Sequence, residues 1–150
     1  MPEEIHLEVE GDKQLVAKFG RATEKLHNIM EKFVIAGLHV FWENVPPYPA
    51  RESSYIRTGL LGKSFGISQE GGKSGSPDVM EIERNDPEII VGAFGSNLEY
   101  APYVVGDNTQ AEIHRGIWWL VSDIIKGAKD KINSLFKTTV EEWVNWLNHG

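Results

Sequence analysis

The chain has 150 residues, a formal net charge of −7 at pH 7 and no cysteine. This length predicts one domain over residues 1–150, with about 68–70% of the unfolded surface buried on folding. The acidic balance argues against nucleic-acid binding through the general surface, because phosphate neutralisation needs clustered lysine and arginine. The lack of cysteine excludes disulfides and thiolate chemistry within the chain.

The sequence also argues against membrane insertion and export. No apolar run approaches the roughly 20 residues that span a bilayer. The acidic N-terminal residues lack the basic start and apolar core of a signal peptide. We therefore expect a protein that folds in a cytoplasm and has no membrane partner.

The first elements predicted along the chain are a strand and a long helix. Residues 5–9 alternate between apolar and polar side chains, which predicts a half-buried strand. From Lys13 the apolar residues recur every three or four positions, which predicts an amphipathic helix of about eight turns. The helix is expected to end near Val45, because Pro46 and Pro47 cannot continue it.

The middle of the chain is predicted to hold a connector, a short turn and three strands. Residues 46–51 are expected to form a stiff polyproline-like connector, and Gly59 to begin a short turn. Alternating patterns predict strands over 64–70 and 79–84, joined by a flexible glycine-rich loop, and a third strand from Ile89. These three strands would form an antiparallel meander.

The last part of the chain is predicted to be one long helix, entered through an apolar-aromatic turn at residues 100–104. A break or kink near Lys137 stays open, because a capping-box pattern follows it. Helical spacing of apolar residues begins after Asn108. The predicted apolar face comprises Ile117, Trp118, Val121, Ile124, Ile125, Ala128, Ile132, Leu135, Phe136, Val140, Trp143, Val144 and Leu147. The elements together predict an α+β fold, with a long N-terminal and a long C-terminal helix packed on a small, mainly antiparallel, curved sheet.

Two tryptophans fall outside this apolar face, at Trp119 and Trp146. A large aromatic side chain on the outer face of a helix normally has something covering it, so both are interface candidates. The simplest partner is another copy of the same chain. A core role for both remains open if the sheet wraps around two faces of the helix.

No pattern for cofactor, metal or nucleophile chemistry is complete in the sequence. Residues 62–64 and 72–74 both read Gly-Lys-Ser, like the end of a phosphate loop, but the required glycine five residues earlier is missing. The histidines are scattered, and no pair has the spacing of ligands on one helix face. The GxSxG pattern of a serine nucleophile is also missing. We therefore predict no catalytic, cofactor-binding or metal-binding residue.

An enzymatic alternative stays open at this stage. Glu81 and Glu83 share one face of a predicted strand, and His114 lies among polar residues near the expected start of the last helix. Paired carboxylates are the groups that small hydrolases use. The alternative function is therefore a small hydrolase or binding enzyme that uses these three residues.

Two motifs in the sequence carry a family resemblance. The first is Arg57-Thr58-Gly59-x-Leu61-x-x-Ser64, preceded by Pro-Tyr-Pro at 47–49. The second is Ile-Val-Gly at 90–92 followed by Tyr-Ala-Pro-Tyr-Val at 100–104. In this order, between two long helices, they resemble the tail-completion family of long-tailed phages, often described as gene-product-ten-like. The chain departs from that family's pattern between Val105 and Trp119.

The resemblance implies a structural protein rather than an enzyme. Such proteins are thought to form a ring of six subunits in the neck of the virion, between the head-side connector and the tail-terminator or tail-tube protein. Genomic DNA would pass through the lumen of this ring. A cellular adaptor that merely shares the fold is a further alternative.

The motif residues are expected to serve the fold and its interfaces. Gly59 would adopt a backbone conformation that residues with a side chain rarely adopt. Thr58 and Ser64 would hold the two ends of its turn. Tyr100 and Tyr103 would share a face. The full set of expected motif and fold residues is Arg57, Thr58, Gly59, Leu61, Ser64, Gly92, Tyr100, Ala101, Tyr103 and Val104.

Overall fold

A computed structural model describes residues 3–10, 22–49 and 59–149. The predicted helix start at Lys13 and the motif residues Arg57 and Thr58 lie outside these residues. The elements in chain order are β1 (Glu3–Glu10), α1 (Ala22–Glu43), α2 (Leu60–Ser64), β2 (Val79–Asn85), β3 (Ile89–Ser96), α3 (Ala101–Val105), a 3-10 helix (Glu112–His114) and α4 (Val121–His149).

The sheet has three antiparallel strands in the order β1-β3-β2, so β3 lies in the centre. Phe94 of β3 lies opposite Ile5 of β1 on one side and Met80 of β2 on the other. The predicted strand near the N-terminus is confirmed as β1. The predicted meander, however, is wrong, because residues 64–70 form no strand of the sheet and the third strand is β1, which pairs with β3 rather than with β2.

The segment at 64–70 fails to form a strand because glycines turn it out of the sheet. Gly66, Gly71 and Gly72 all have positive φ, a conformation that side-chain-bearing residues rarely adopt. Ile67 forms only an isolated bridge with Lys73. The alternation of Phe65 and Ile67 therefore reflects two buried side chains in a turn rather than one face of a strand.

The helix α1 crosses the sheet at Gly92 of β3. A side chain at Gly92 would meet Val34 and Leu38 of α1, so the motif glycine lets the helix approach the strand closely. Val34 is fully buried there, next to Ile90. α1 ends at Glu43, in agreement with the expectation that the prolines stop it.

The helix α4 is one continuous helix that runs antiparallel to α1. Ile29 shares a cluster with Trp143, and at the other end of the pair Glu43 forms an ion pair with Lys131 at 3.2 Å. The α+β class with two long helices and a small antiparallel sheet is thus confirmed. α4 packs mainly on α1 rather than on the sheet.

The start of α4 lies later than the spacing of apolar residues predicts. Gly116 has φ of 75° and breaks the helical pattern, and the Asp123 carboxylate accepts a hydrogen bond from the Leu120 N–H at 2.8 Å. A second carboxylate, Asp107, accepts from the Ser122 N–H. Acidic groups at a helix N-terminus satisfy its free N–H groups, so the helix begins here.

Candidate functional site

The connector after α1 docks on the first motif instead of leading away from it. The Tyr48 hydroxyl donates to the Gly59 carbonyl at 2.7 Å and accepts from the Gly62 N–H at 2.9 Å. Its ring packs edge-on against Trp118, with 5.5 Å between ring centroids. We call these two hydrogen bonds of the Tyr48 hydroxyl the Tyr48 clamp. A side chain at Gly62 would collide with the tyrosine ring, and Gly59 has φ of 84°, so the clamp needs both glycines.

A buried pair of serines ties the first motif to the end of β3. The Ser64 hydroxyl donates to the Leu61 carbonyl at 2.5 Å and accepts from the Ser96 hydroxyl at 2.7 Å. Ser96 in turn accepts from the Leu98 N–H at 3.1 Å, which holds the chain that leads to the second motif. Both serines are almost fully buried, so the hydrogen bond between them satisfies two buried polar groups.

The second motif places its apolar residues in the same core cluster. Ala101, Val104 and Val105 of α3 are buried together with Leu61, Phe65 and Trp118 of the neighbouring segments. The Gln110 amide donates to the carbonyls of Val104 and Trp118, at 2.8 and 3.3 Å, and so joins the end of α3 to the entrance of α4.

We call this region the motif junction, comprising Tyr48, residues 59–65, residues 96–98 and α3. It brings together the described residues of the first motif and the turn of the second. Gly92 lies apart from it, under α1. Gly62, Ser96 and Gln110 were not among the predicted site residues. Tyr48 was noted only as part of the Pro-Tyr-Pro run that precedes the first motif.

The two tryptophan interface candidates do not occupy the positions predicted for them. Trp119 precedes α4 rather than projecting from it, and its ring packs edge-on against Phe65 at 5.2 Å between centroids. Trp146 is partly buried, and its ring stacks on that of Trp143 with 5.5 Å between the ring centroids. Both side chains are therefore partly buried rather than fully exposed. Their part in an interface stays a prediction, and the sheet does not wrap around α4 as the core alternative required.

The residues of the enzymatic alternative lie on different elements. Glu81 and Glu83 are exposed on the outer face of β2, where the Glu83 carboxylate contacts His6 Nδ1 at 2.7 Å. His114 lies in the 3-10 helix, where partial burial lowers the pKa of its imidazole. An open cleft of about 840 Å³ lies beside α2, and none of these three residues lines it.

The Gly-Lys-Ser sequence at 72–74 has a structural role in the loop. Lys73 Nζ donates to the Trp42 carbonyl at 2.5 Å and to the Val45 carbonyl at 3.4 Å, and so caps the end of α1. Partial burial lowers the pKa of Lys73, and the charge of Glu43 opposes this effect. The loop is thus held against the helix in the isolated chain.

Two negative findings apply to the parts of the chain that the structure describes. In residues 3–10, 22–49 and 59–149, no three or more histidine, aspartate or glutamate side chains are grouped so that they could hold a metal ion. In the same ranges, no helix is long and apolar enough to cross a membrane.

Two exposed apolar surfaces stand out beside the buried junction. The first, which we call the tyrosine patch, consists of Tyr100, Tyr103 and Ile113, exposed by 42%, 60% and 67%. The second, the α4 stripe, consists of Ile125, Phe136, Val140 and Val144, each exposed by between 42% and 52%.

The α4 stripe corrects the sequence prediction, which placed these four residues on the face of the helix that joins the core. The apolar arc of α4 is wider than the surface that α1 covers. One side of the arc is therefore left in solvent.

Comparisons with models of protein families, with curated proteins and with solved structures find no match for this chain.

Proposed function

We propose that this chain is a structural subunit of the neck of a long-tailed phage or prophage. It would be a tail-completion or head–tail connector protein that forms a ring, with six subunits as the resemblance implies. Its partners would be copies of itself, the head-side connector and the tail-terminator or tail-tube protein. Genomic DNA would pass through the lumen of the ring in the virion.

The observation that carries the proposal is the packing of two separate motifs into one junction. The two motifs are separate in sequence, yet Ser64 of the first accepts a buried hydrogen bond from Ser96, 32 positions away, in the segment that leads to the turn of the second. Ala101 and Val104 share a core cluster with Leu61. Motifs that define a fold are expected to share a buried cluster in this way.

The charge of the chain also agrees with this function. A net charge of −7 disfavours tight binding of DNA to the surface, as the lumen of a channel requires. The acidic outer face of the sheet, with Glu81 and Glu83, is one surface past which DNA would move without being held.

Deletion of the gene from an infecting phage, or from an inducible prophage, tests the proposal. We expect filled heads and separate tails in electron micrographs, with joined particles restored by the wild-type gene supplied in trans. Complementation with E81Q, E83Q and H114Q tests the enzymatic alternative. A structural subunit predicts full rescue by all three variants, because none of these side chains lies in the motif junction.

Two outcomes would contradict the proposal. Joined, infectious particles without the gene would show that the neck does not need this protein. Failure of E83Q or H114Q to rescue, with normal amounts of folded protein, would favour the enzyme.

A further inference from the structure

We propose that two copies of this chain pair through their α4 stripes, with the two α4 helices antiparallel. In this pair, each α4 stripe is covered by the stripe of the other copy. The inference concerns the free chain and does not rest on the proposed function. A two-fold contact closes on itself, so it does not by itself build a ring.

The α4 stripe runs along one side of a long helix. α4 is continuous from Val121 to His149. At 3.6 residues per turn, the four stripe residues fall within about 100° around the helix axis, next to the face that packs on α1. Lys129 and Asn133 lie on the same side, between Ile125 and the rest of the stripe. Polar residues within such a seam weaken a helix pair but fix its register.

A row of four charged residues borders the stripe on the side away from α1. All four are exposed, and they fall within about 60° around the helix axis. They are Lys126, Asp130, Lys137 and Glu141. Their spacing would also allow ion pairs within the helix. Among the described residues, however, none of the four forms an ion pair.

The charged row is complementary to itself when one of the two helices is reversed. A two-fold contact brings the same surface of both copies together, so the row of one copy faces the row of the other. When the two-fold axis passes between positions 133 and 134, Lys126 lies opposite Glu141 of the second copy. Asp130 then lies opposite Lys137 of the second copy. Every charge in the row is matched by an opposite charge, which favours this partner and this orientation.

The apolar residues of the stripe fit the same register. Position 142 of the second copy lies opposite Ile125 of the first. The isoleucine side chain therefore enters the gap between Val140 and Val144 of the second copy, as a knob enters a hole between two helices. Packing and charge thus select one alignment.

Other alignments of the two helices are disfavoured by charge. A slip of one helical turn in one direction would place Asp130 opposite Glu141. A slip in the other direction would place Lys126 opposite Lys137. Like charges that face each other across a contact are destabilising, so the register is specified in both directions.

Sedimentation of the purified chain tests for the pair, with two variants that are matched in exposure. Val140 of the stripe is 42% exposed, and Ile35 of α1 is 41% exposed. We expect mainly dimer at about 100 μM, with a dissociation constant in the micromolar range. V140E should raise this constant at least about tenfold, because the contact would bury a carboxylate, whereas I35E should leave it unchanged. Circular dichroism checks that each variant keeps the helix content of the wild type.

An exchange of charges distinguishes a contact between copies from pairing within one helix. K126E should raise the dissociation constant about tenfold, because it places a carboxylate opposite Glu141 twice in each pair. K126E/E141K should restore the wild-type constant, because opposite charges again face each other across the contact. Within a single helix, the same double variant puts like charges four residues apart at both ends of the row, so intrahelical pairing predicts no rescue.

Single cysteines test the direction of the helices, because the wild-type chain has no cysteine. With a short bis-maleimide, N133C should cross-link to itself, because it lies next to the two-fold axis. I125C alone should not, because its two copies are about 26 Å apart along an antiparallel pair. A mixture of I125C with V140C should give a two-chain product.

Four results would overturn the inference. They are a wild-type chain that stays monomeric at the concentration above, V140E that dimerises like the wild type, K126E/E141K that dimerises no better than K126E, and I125C that cross-links to itself. None of these results depends on whether the protein is found in phage necks. The inference and the proposed function can therefore fail separately.

Discussion

The motif junction and the α4 stripe are built from similar apolar side chains but leave them in opposite environments. In the junction, Phe65 is fully buried, and the buried hydroxyl of Ser64 is paired with that of Ser96. In the stripe, Phe136 is 52% exposed, and its ring forms a T-shaped contact with Phe33 of α1. The junction therefore contributes mainly to stability, whereas the stripe is available for assembly.

The same substitution in both regions tests this difference in stability most strongly. F65A should cost about 3–5 kcal/mol of unfolding free energy, because it leaves a cavity beside Phe94 and Trp119. F136A should cost about 1 kcal/mol, because half of the ring is already in water. Urea unfolding followed by tryptophan fluorescence measures both. Equal losses would show that the two regions do not differ as described.

The buried serine pair gives the next largest effect. S64A should cost about 1–3 kcal/mol, because the Ser96 hydroxyl then has no acceptor in a site closed to water. S134A, on the exposed side of α4, is the matched control and should change the unfolding free energy by less than about 0.5 kcal/mol. If S64A were as mild as S134A, the junction would not depend on this hydrogen bond.

The smallest effect is expected at the clamp made by Tyr48. Y48F removes the hydroxyl that joins Gly59 to Gly62 and should cost about 1 kcal/mol, which lowers Tm by about 2–4 °C in a chain of this size. Y100F, in the tyrosine patch, should leave Tm unchanged. A calorimetric scan of the two variants distinguishes a hydroxyl that stabilises the fold from one on an exposed surface.

Much of the fold could be predicted from the local spacing of apolar residues in the sequence. Period-two and helical spacing located β1, the two long helices and the strands β2 and β3, because these patterns reflect burial of one face. The same logic failed at residues 64–70. There the alternation of Phe65 and Ile67 is compatible with a strand, but Gly66 has a positive φ that sequence alone does not reveal.

The candidate site was less predictable than the fold, because its key contacts join residues that are distant in sequence. Ser64 and Gly59 were expected to matter for the turn, but the pairing with Ser96 and the docking of Tyr48 depend on tertiary packing. The stripe was missed for a related reason. Helical periodicity shows which side of α4 is apolar, but it does not show how much of that side α1 covers.

The most direct test of the central claim is electron cryo-microscopy of virions or induced prophage particles that carry this gene. The account predicts a ring of this chain between the head connector and the tail tube, with density that fits α1, α4 and the three-stranded sheet. A neck whose density is filled entirely by other proteins, in particles that lack this chain, would contradict it.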